Sequence, residues 1–331
     1  IQGEGKAWSD GVDGENGNYD FLLCNDIDLD HPEVVAELNR WGKWVSNELD
    51  LDGMRLDAIK HMKDQFVVQF LDTVRSERGD DFYAVGEYWN GDLERLDNYL
   101  EAVGHKVNLF DVPLHYNMFQ ASQEGKDYDL RNILKNTLVE HHCELAVTFV
   151  DNHDTQPSQA LASWVPAWFK PLAYALILLR ENGVPSVFYP DHYGAHYEDT
   201  GGDGETYPID MPIIEQLDEL ILARQRFAHG VQTLFFDHPN CIAFSRSGTD
   251  EDPGCVVVLS NGDDGEKTIN LGANYGNKTW RDYLGNREES VVTDENGEAT
   301  FYCNGGSVSV WVIRSSMLSL PSMYQSTIFG T

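Results

Sequence analysis

Apolar residues recur at three- and four-residue intervals at Val34, Val35, Leu38, Trp41, Val45 and Leu49, just after Pro32. That spacing predicts a helix with one buried face, opened by a residue suited to a first helical turn. Leu51-Asp52-Gly53 ends it, and Gly53-Met54-Arg55-Leu56-Asp57 reads as a short strand. The alternation then repeats, with helices predicted over 65–78, 92–102, 130–142 and 171–181 and strands over 82–86, 107–110, 145–150 and 185–189. A last amphipathic helix is predicted over 211–227. Strands alternating with helices build a parallel sheet. Carboxylates stand where these strands end, at Asp57, Glu87, Asp111, Asp151 and Asp154. Polar residues gathered at the C-terminal ends of parallel strands mark the working face of a (β/α)8 barrel. Five strand–helix units fill residues 50–230, however, where a whole barrel has eight. The fold class expected is therefore α/β, a (β/α)8 barrel in part, with its first strands absent.

The pattern changes after Gly230. Short alternating runs at Cys241–Ser245, Cys255–Ser260 and Ser307–Ile313 are separated by turns such as Asn261-Gly262, Gly285-Asn286 and Asn296-Gly297. These predict a C-terminal antiparallel β-sandwich domain. The organisation expected is a loop segment over 1–31, barrel units over 32–230, the β domain over 231–314 and a disordered tail over 315–331.

Charge narrows the range of partners. The 331 residues carry a net charge of −32, which repels nucleic acid and anionic membranes. With 41% hydrophobic residues the chain has enough apolar surface to fold, yet no apolar run reaches the length of a membrane span. Five cysteines (Cys24, Cys143, Cys241, Cys255 and Cys303) lie far apart with no C-x-x-C pair. They read as buried thiols of a reducing compartment, which favours the cytoplasm over secretion. The chain opens on Ile1 without a charged or apolar leader, so localisation cannot be read from that end.

Asp57 and Glu87 end neighbouring predicted strands. Adjacent strands lie about 5 Å apart, and a retaining glycosidase places its two carboxyls at roughly that separation. Strand-end carboxylates can equally be satisfied by helix N-termini or arginines, and spacing alone leaves both readings open. His153-Asp154, after the apolar run Val147-Thr148-Phe149-Val150, adds a third polar site at the same rim.

Three segments go further. Gly53-Met54-Arg55-Leu56-Asp57-Ala58-Ile59-Lys60-His61 resembles the nucleophile segment of the α-amylase family of glycoside hydrolases. Val85-Gly86-Glu87-Tyr88-Trp89 resembles that family's acid/base segment, and Phe149-Val150-Asp151-Asn152-His153-Asp154 its third catalytic segment. The resemblance runs from about Lys6 to Val312 and leans toward liquefying bacterial α-amylases and their intracellular relatives. It implies endo-acting, retaining hydrolysis of α-1,4-glucosidic bonds in starch, glycogen and maltooligosaccharides. Asp57 would be the nucleophile, Glu87 the acid/base and Asp154 the residue that holds the distorted sugar. Arg55 lies on the strand face of Asp57 and would keep it ionised, while Tyr88 and Trp89 would desolvate Glu87 and raise its pKa. Arg55, Lys60, His61, Trp89 and His153 would contact substrate. The alternatives are an α-glucan transglycosylase of the same family and a non-catalytic glucan-binding protein.

The Gly-rich run Asn16-Gly17-Asn18-Tyr19-Asp20 and the run Asp26-Ile27-Asp28-Leu29-Asp30 offer hard oxygen ligands. By the resemblance, Asp20, Asp26 and the main-chain carbonyl of His61 bind Ca2+. Ser9 stands where the liquefying enzymes have a further ligand Asp, so the extra metal of their calcium–sodium cluster is not expected; Pro239-Asn240 replaces a calcium-binding His-Asp step, so no metal is expected in the β domain. The expected partner is an α-glucan, with no nucleic acid or membrane, and the complete protein is expected to be a monomer. Against the family pattern the chain is expected to lack the first barrel strands and most of the excursion domain. Sheet edges left open in this way would make the chain alone aggregation-prone and inactive.

Overall fold

A computed structural model describes residues 27–317 apart from 202 and 252. Contacts divide the chain into two compact units, one running to Leu114 with Lys135–Thr148 added, the other made of His115–Leu134 and the chain from Phe149. In the first unit, helix α1 (Pro32–Glu48) leads into strand β1 (Gly53–Leu56), and α2 (Asp64–Arg78) into β2 (Tyr83–Gly86). Helix α3 (Leu93–Ala102) leads into β3 (Asn108–Phe110); α4 (Val112–Glu124), most of it in the second unit, and a single-turn α5 (Leu138–His141) precede β4 (Ala146–Phe149). β1 pairs with β2, β2 with β3 and β3 with β4, all in parallel and in chain order. This is the βα alternation that the sequence predicts. It brings the ends of successive strands to one rim.

The details differ in instructive ways. α1 buries Gly42 and Ser46, whereas Trp41 and Leu49 of the expected apolar stripe are exposed. A methyl on Gly42 would meet Phe70 of α2 at 2.5 Å, so the two helices pack through a small residue that hydrophobic periodicity overlooks. The helix expected over 130–142 is broken into a turn at Leu130–Asn132 and α5, because Asn136 takes a left-handed backbone (φ +55°). α4 was not expected at all. Buried Asp111 nucleates it, accepting the Leu114 N–H at 3.0 Å. The same carboxylate accepts the Leu138 and Val139 N–H groups at the start of α5, at 3.0 and 2.8 Å. Of the strand-end carboxylates, Asp111 is thus a helix cap.

The second unit contains α6 (Lys170–Leu179), β5 (Val184–Ser186), α7 (Tyr189–Tyr193), the hairpin β6 (Ala195–Thr200) with β7 (Thr206–Met211), and α8 (Leu217–Phe227). The last helix is shorter than predicted because Met211 belongs to the hairpin. Eight further strands follow: β8 (Gln232–His238), β9 (Cys241–Arg246), β10 (Cys255–Ser260) and β11 (Gly265–Asn270), then β12 (Thr279–Asp282), β13 (Ser290–Val292), β14 (Glu298–Cys303) and β15 (Ser307–Ile313). They form a six-stranded sheet in the order β13-β12-β15-β10-β9-β8 and a two-stranded sheet, β11-β14. Val256, Val258, Trp280, Phe301 and Trp311 fill the core of this domain. The expected tail begins as a helical turn, α9 (Arg314–Met317), and from 318 lies outside the described residues.

Asparagine amides join the loop at 125–130 to the β domain. Asn261 Nδ2 donates to the carbonyls of Gly125 and Tyr128, both at 2.8 Å, and Asn240 Nδ2 to that of Lys126 at 2.6 Å. The Pro239 carbonyl in turn accepts the Leu130 N–H at 2.7 Å. Among the described residues, no helix is long and apolar enough to cross a membrane.

Candidate active site

In the first unit, parallel register sets Arg55 beside Val85 and Leu56 beside Gly86, so the next residues along, Asp57 and Glu87, leave the sheet together. The Glu87 N–H donates to the Leu56 carbonyl at 2.8 Å, and the Ile59 N–H to the Glu87 carbonyl at 3.1 Å. Between them Ala58 adopts a left-handed backbone (φ +49°) that turns its N–H onto Glu87 Oε2 at 2.8 Å. One rim is thus knitted from both strand ends, and the Glu87 carboxyl is oriented from outside its own strand. Gly86 makes this possible. A methyl on it would lie 2.2 Å from Ile59 Cδ1, a fully buried side chain that plugs the space beneath the turn.

The two carboxylates meet different surroundings. Asp57 is 71% exposed and ion-paired with Arg55 on the same strand face, as expected. Glu87 is buried, together with Tyr88 and Trp89, and Tyr88 packs on Tyr99 with ring centroids 4.8 Å apart. Lys60 Nζ donates to the Trp89 carbonyl at 2.9 Å, which adds a fourth tie between the two strand ends. His61 closes the turn Ile59–His61, its N–H bonded to the Ala58 carbonyl at 2.9 Å.

The second unit presents His153 and Asp154 on a separate turn. Asn152 Oδ1 accepts the N–H groups of Asp154 and Thr155 at 2.9 and 3.0 Å, and His153 Nε2 lies 3.4 Å from Asp154 Oδ2. Asp151 anchors the turn from below: its carboxylate accepts the Thr155 hydroxyl at 2.9 Å and the Val165 N–H at 3.2 Å. Lys170, wholly buried, lies 3.0 Å from Asp151 and pairs with Asp191 as well, while Tyr174 donates to Asp191 at 2.5 Å. The ammonium also sits 3.2 Å from the centre of the Trp164 ring. Two buried carboxylates share one cation, so burial pushes Asp151 up to about 7 against the pull of Lys170.

His115 supports the same region. Its Nδ1–H donates to the Val150 carbonyl at 2.6 Å, which leaves Nε2 to accept the Ser163 hydroxyl at 2.8 Å, and the ring stacks on Phe149. Burial, aided by the Lys170 charge, lowers it from 6.5 to about 4. As pH falls, the unfolded chain therefore binds this proton first. The stability that neutral His115 contributes is whole above pH 6.5 and is lost between 6.5 and 4. The loss amounts to about 3 kcal/mol. Melting curves across this interval are expected to fall less steeply for His115→Gln than for the unaltered protein. Equal slopes would rule out His115 as the titrating group.

Further side chains have partners of their own. His141 and His142 both face Asp97, at 3.4 and 3.3 Å; His192 faces Asp218 at 2.7 Å and His196 faces Asp210 at 2.5 Å. Trp164 is engaged by Lys170, whereas Tyr193 is exposed and lies against Tyr189. Cys143 is only partly buried, contrary to the reading of all the thiols as core. Asp20, Asp26 and Cys24 lie outside the described residues. Among the described residues, no group of three or more His, Cys, Asp or Glu side chains is placed to hold a metal. Sequence reasoning missed Lys170, Asp191 and His115, although a lysine opening the apolar run 171–179 was a visible signal.

Comparison with known proteins matches residues 5–206 to the family described as alpha amylase, catalytic domain, and residues 236–314 to alpha amylase, C-terminal all-beta domain. A cytoplasmic alpha-amylase of Escherichia coli (strain K12) is 65% identical over 310 residues, which cover 94% of this chain and 63% of that protein. A glucan 1,4-alpha-maltohexaosidase of Bacillus sp. (strain 707) is 47% identical over 314 residues, covering 94% and 59%. The chain thus spans about three fifths of the length of the curated relatives it matches. The crystal structure of an Anoxybacillus alpha-amylase superposes with a TM-score of 0.68 at 22% identity, covering 88% of this chain and 65% of that one. That of the Geobacillus thermoleovorans enzyme complexed with acarbose does so with a TM-score of 0.64 at 22% identity, covering 88% and 66%. At this identity the likeness is one of fold.

Proposed function

The chain belongs to the α-amylase family, and on that premise we propose that it carries the catalytic carboxylates of an endo-acting enzyme hydrolysing α-1,4-glucosidic bonds with retention. The observation that supports this most is the pairing of an exposed Asp57 with a buried Glu87 across β1 and β2, the second carboxyl oriented by the Ala58 N–H. In this reading Asp57 attacks the anomeric carbon while Glu87 gives a proton to the departing glycosidic oxygen. Glu87 then takes a proton from water, and that water releases the sugar from Asp57 on the original face. Glu87 is buried among Tyr88 and Trp89 while Asp57 stands exposed beside Arg55, so the two carboxyls meet the different surroundings that an acid/base and a nucleophile use. Asp154, with His153 beside it, would hold hydroxyls of the distorted sugar. Lys60, His61 and Trp89 would line the leaving-group side.

The test is the anomeric form of the first products released from maltoheptaose by the full-length protein, followed by proton NMR. The α anomer is expected before mutarotation. A β anomer would overturn the reading, products longer than the substrate would indicate transglycosylation, and binding without new reducing ends would indicate a non-catalytic protein.

Calcium belongs to the same proposal. Carboxylates of Asp20 and Asp26 with the His61 carbonyl make an all-oxygen donor set, which fits a hard cation and not zinc. His61 lies in the turn directly after Asp57, so a cation there would brace the nucleophile's loop. A chelator is expected to lower the melting temperature of the full-length protein, and added calcium to restore it. An unchanged melting curve in excess chelator would remove this site.

A further inference from the structure

Two thiols meet inside the β domain. Cys241 opens β9 of the six-stranded sheet and Cys303 closes β14 of the two-stranded one. Both are free and buried. Gly265, the register partner of Cys303, faces both sulfurs: a methyl on it would lie 2.6 Å from Cys241 Sγ and 3.1 Å from Cys303 Sγ. Any side chain at 265 would crowd the pair, so glycine is what lets the sulfurs stay together.

The two positions are not equivalent. Cys241 lines a cavity of about 380 Å³ with His238, Asp264 and Lys267, while Cys303 has no exposed surface. The neighbouring Cys303 thiol, helped by the Lys267 ammonium, holds the Cys241 thiol below its ordinary range. Cys241 beside it, with burial, pushes Cys303 up. An acidic thiol at an opening with a reluctant thiol behind it is the arrangement of an attacking sulfur and its resolving partner.

We propose that Cys241 and Cys303 are a redox modification site, closing to a reversible disulfide when a small peroxide enters the cavity and reacts at Cys241. The Cys241 thiolate attacks the O–O bond, becoming a sulfenic acid, and the peroxide's other oxygen leaves as hydroxide and is protonated to water. The Cys303 sulfur then attacks Cys241 Sγ; hydroxide departs and takes up the Cys303 proton as a second water. Two thiols lose two electrons and two protons, and one peroxide becomes two waters. The bond formed joins the two sheets across the core and restricts the unfolded chain between residues 241 and 303.

The folded full-length protein is treated with hydrogen peroxide, its remaining thiols are alkylated, and it is digested without reductant for mass spectrometry. A Cys241–Cys303 peptide pair lighter by two hydrogens is expected, reversed by dithiothreitol, with a melting temperature several degrees higher in the oxidised form. In Cys303→Ser, dimedone is expected to trap a sulfenic acid at Cys241. In the unaltered protein, recovery of both thiols alkylated while the partly exposed Cys143 is oxidised would overturn the proposal. So would a disulfide that forms only after the protein is unfolded.

Discussion

Asp57→Asn in the full-length protein is expected to lower kcat on starch by several orders of magnitude and to leave the melting temperature almost unchanged. The two halves of this expectation have separate causes. An amide cannot form the glycosyl ester, so the covalent route is lost, not merely slowed. Stability is spared because the Asp57 side chain is 71% exposed, and an ion pair as open as the one with Arg55 contributes at most about 1 kcal/mol. Starch hydrolysis assayed beside a melting curve separates them. Retention of more than a tenth of the activity would remove Asp57 from the nucleophile's place.

Lys170→Met should do the reverse. The lysine has no exposed surface, and Met keeps its length while deleting the charge that Asp151 and Asp191 share. Two carboxylates would then be buried without a counter-ion. Removing one partner of a buried ionic group destabilises by about 3–5 kcal/mol. Asp151, pushed up to about 7 even with Lys170 present, would be driven higher still. Chemical denaturation of the variant is expected to show that loss, and Asp191→Asn added to Lys170→Met to recover part of it. A change below about 1 kcal/mol would show that the cluster is held by something other than this cation. Asp151 also anchors Thr155, so the variant should loosen the turn carrying His153 and Asp154.

The placement of Arg55, Asp57 and Glu87 could be read from the sequence because these residues are local to strand ends. Arg55 and Asp57 are two apart on one strand, and Glu87 follows the next strand in register. Period-two alternation and chain order suffice for that much. What stayed hidden depends on partners distant along the chain. Asp111 looks like the other rim carboxylates in sequence, and only the two helix starts folded over it reveal a cap. Lys170 looks like a solvated charge until Asp151 and Asp191 close around it. α1 misled for a different reason: its contact with α2 runs through Gly42 and Ser46, and hydrophobic periodicity gives small residues no weight.

The left-handed turn at Ala58 bears on how this region can vary. Its N–H serves a carboxylate 29 positions away, Ile59 occupies the space beside Gly86, and Lys60 holds the carbonyl of Trp89. Each loop therefore contains the fittings of the other. A chimera that takes residues 57–61 from one relative and 86–89 from another inherits mismatched fittings, even where every catalytic residue is identical. The two segments are one heritable unit, and recombination that respects it can exchange this half of the rim intact.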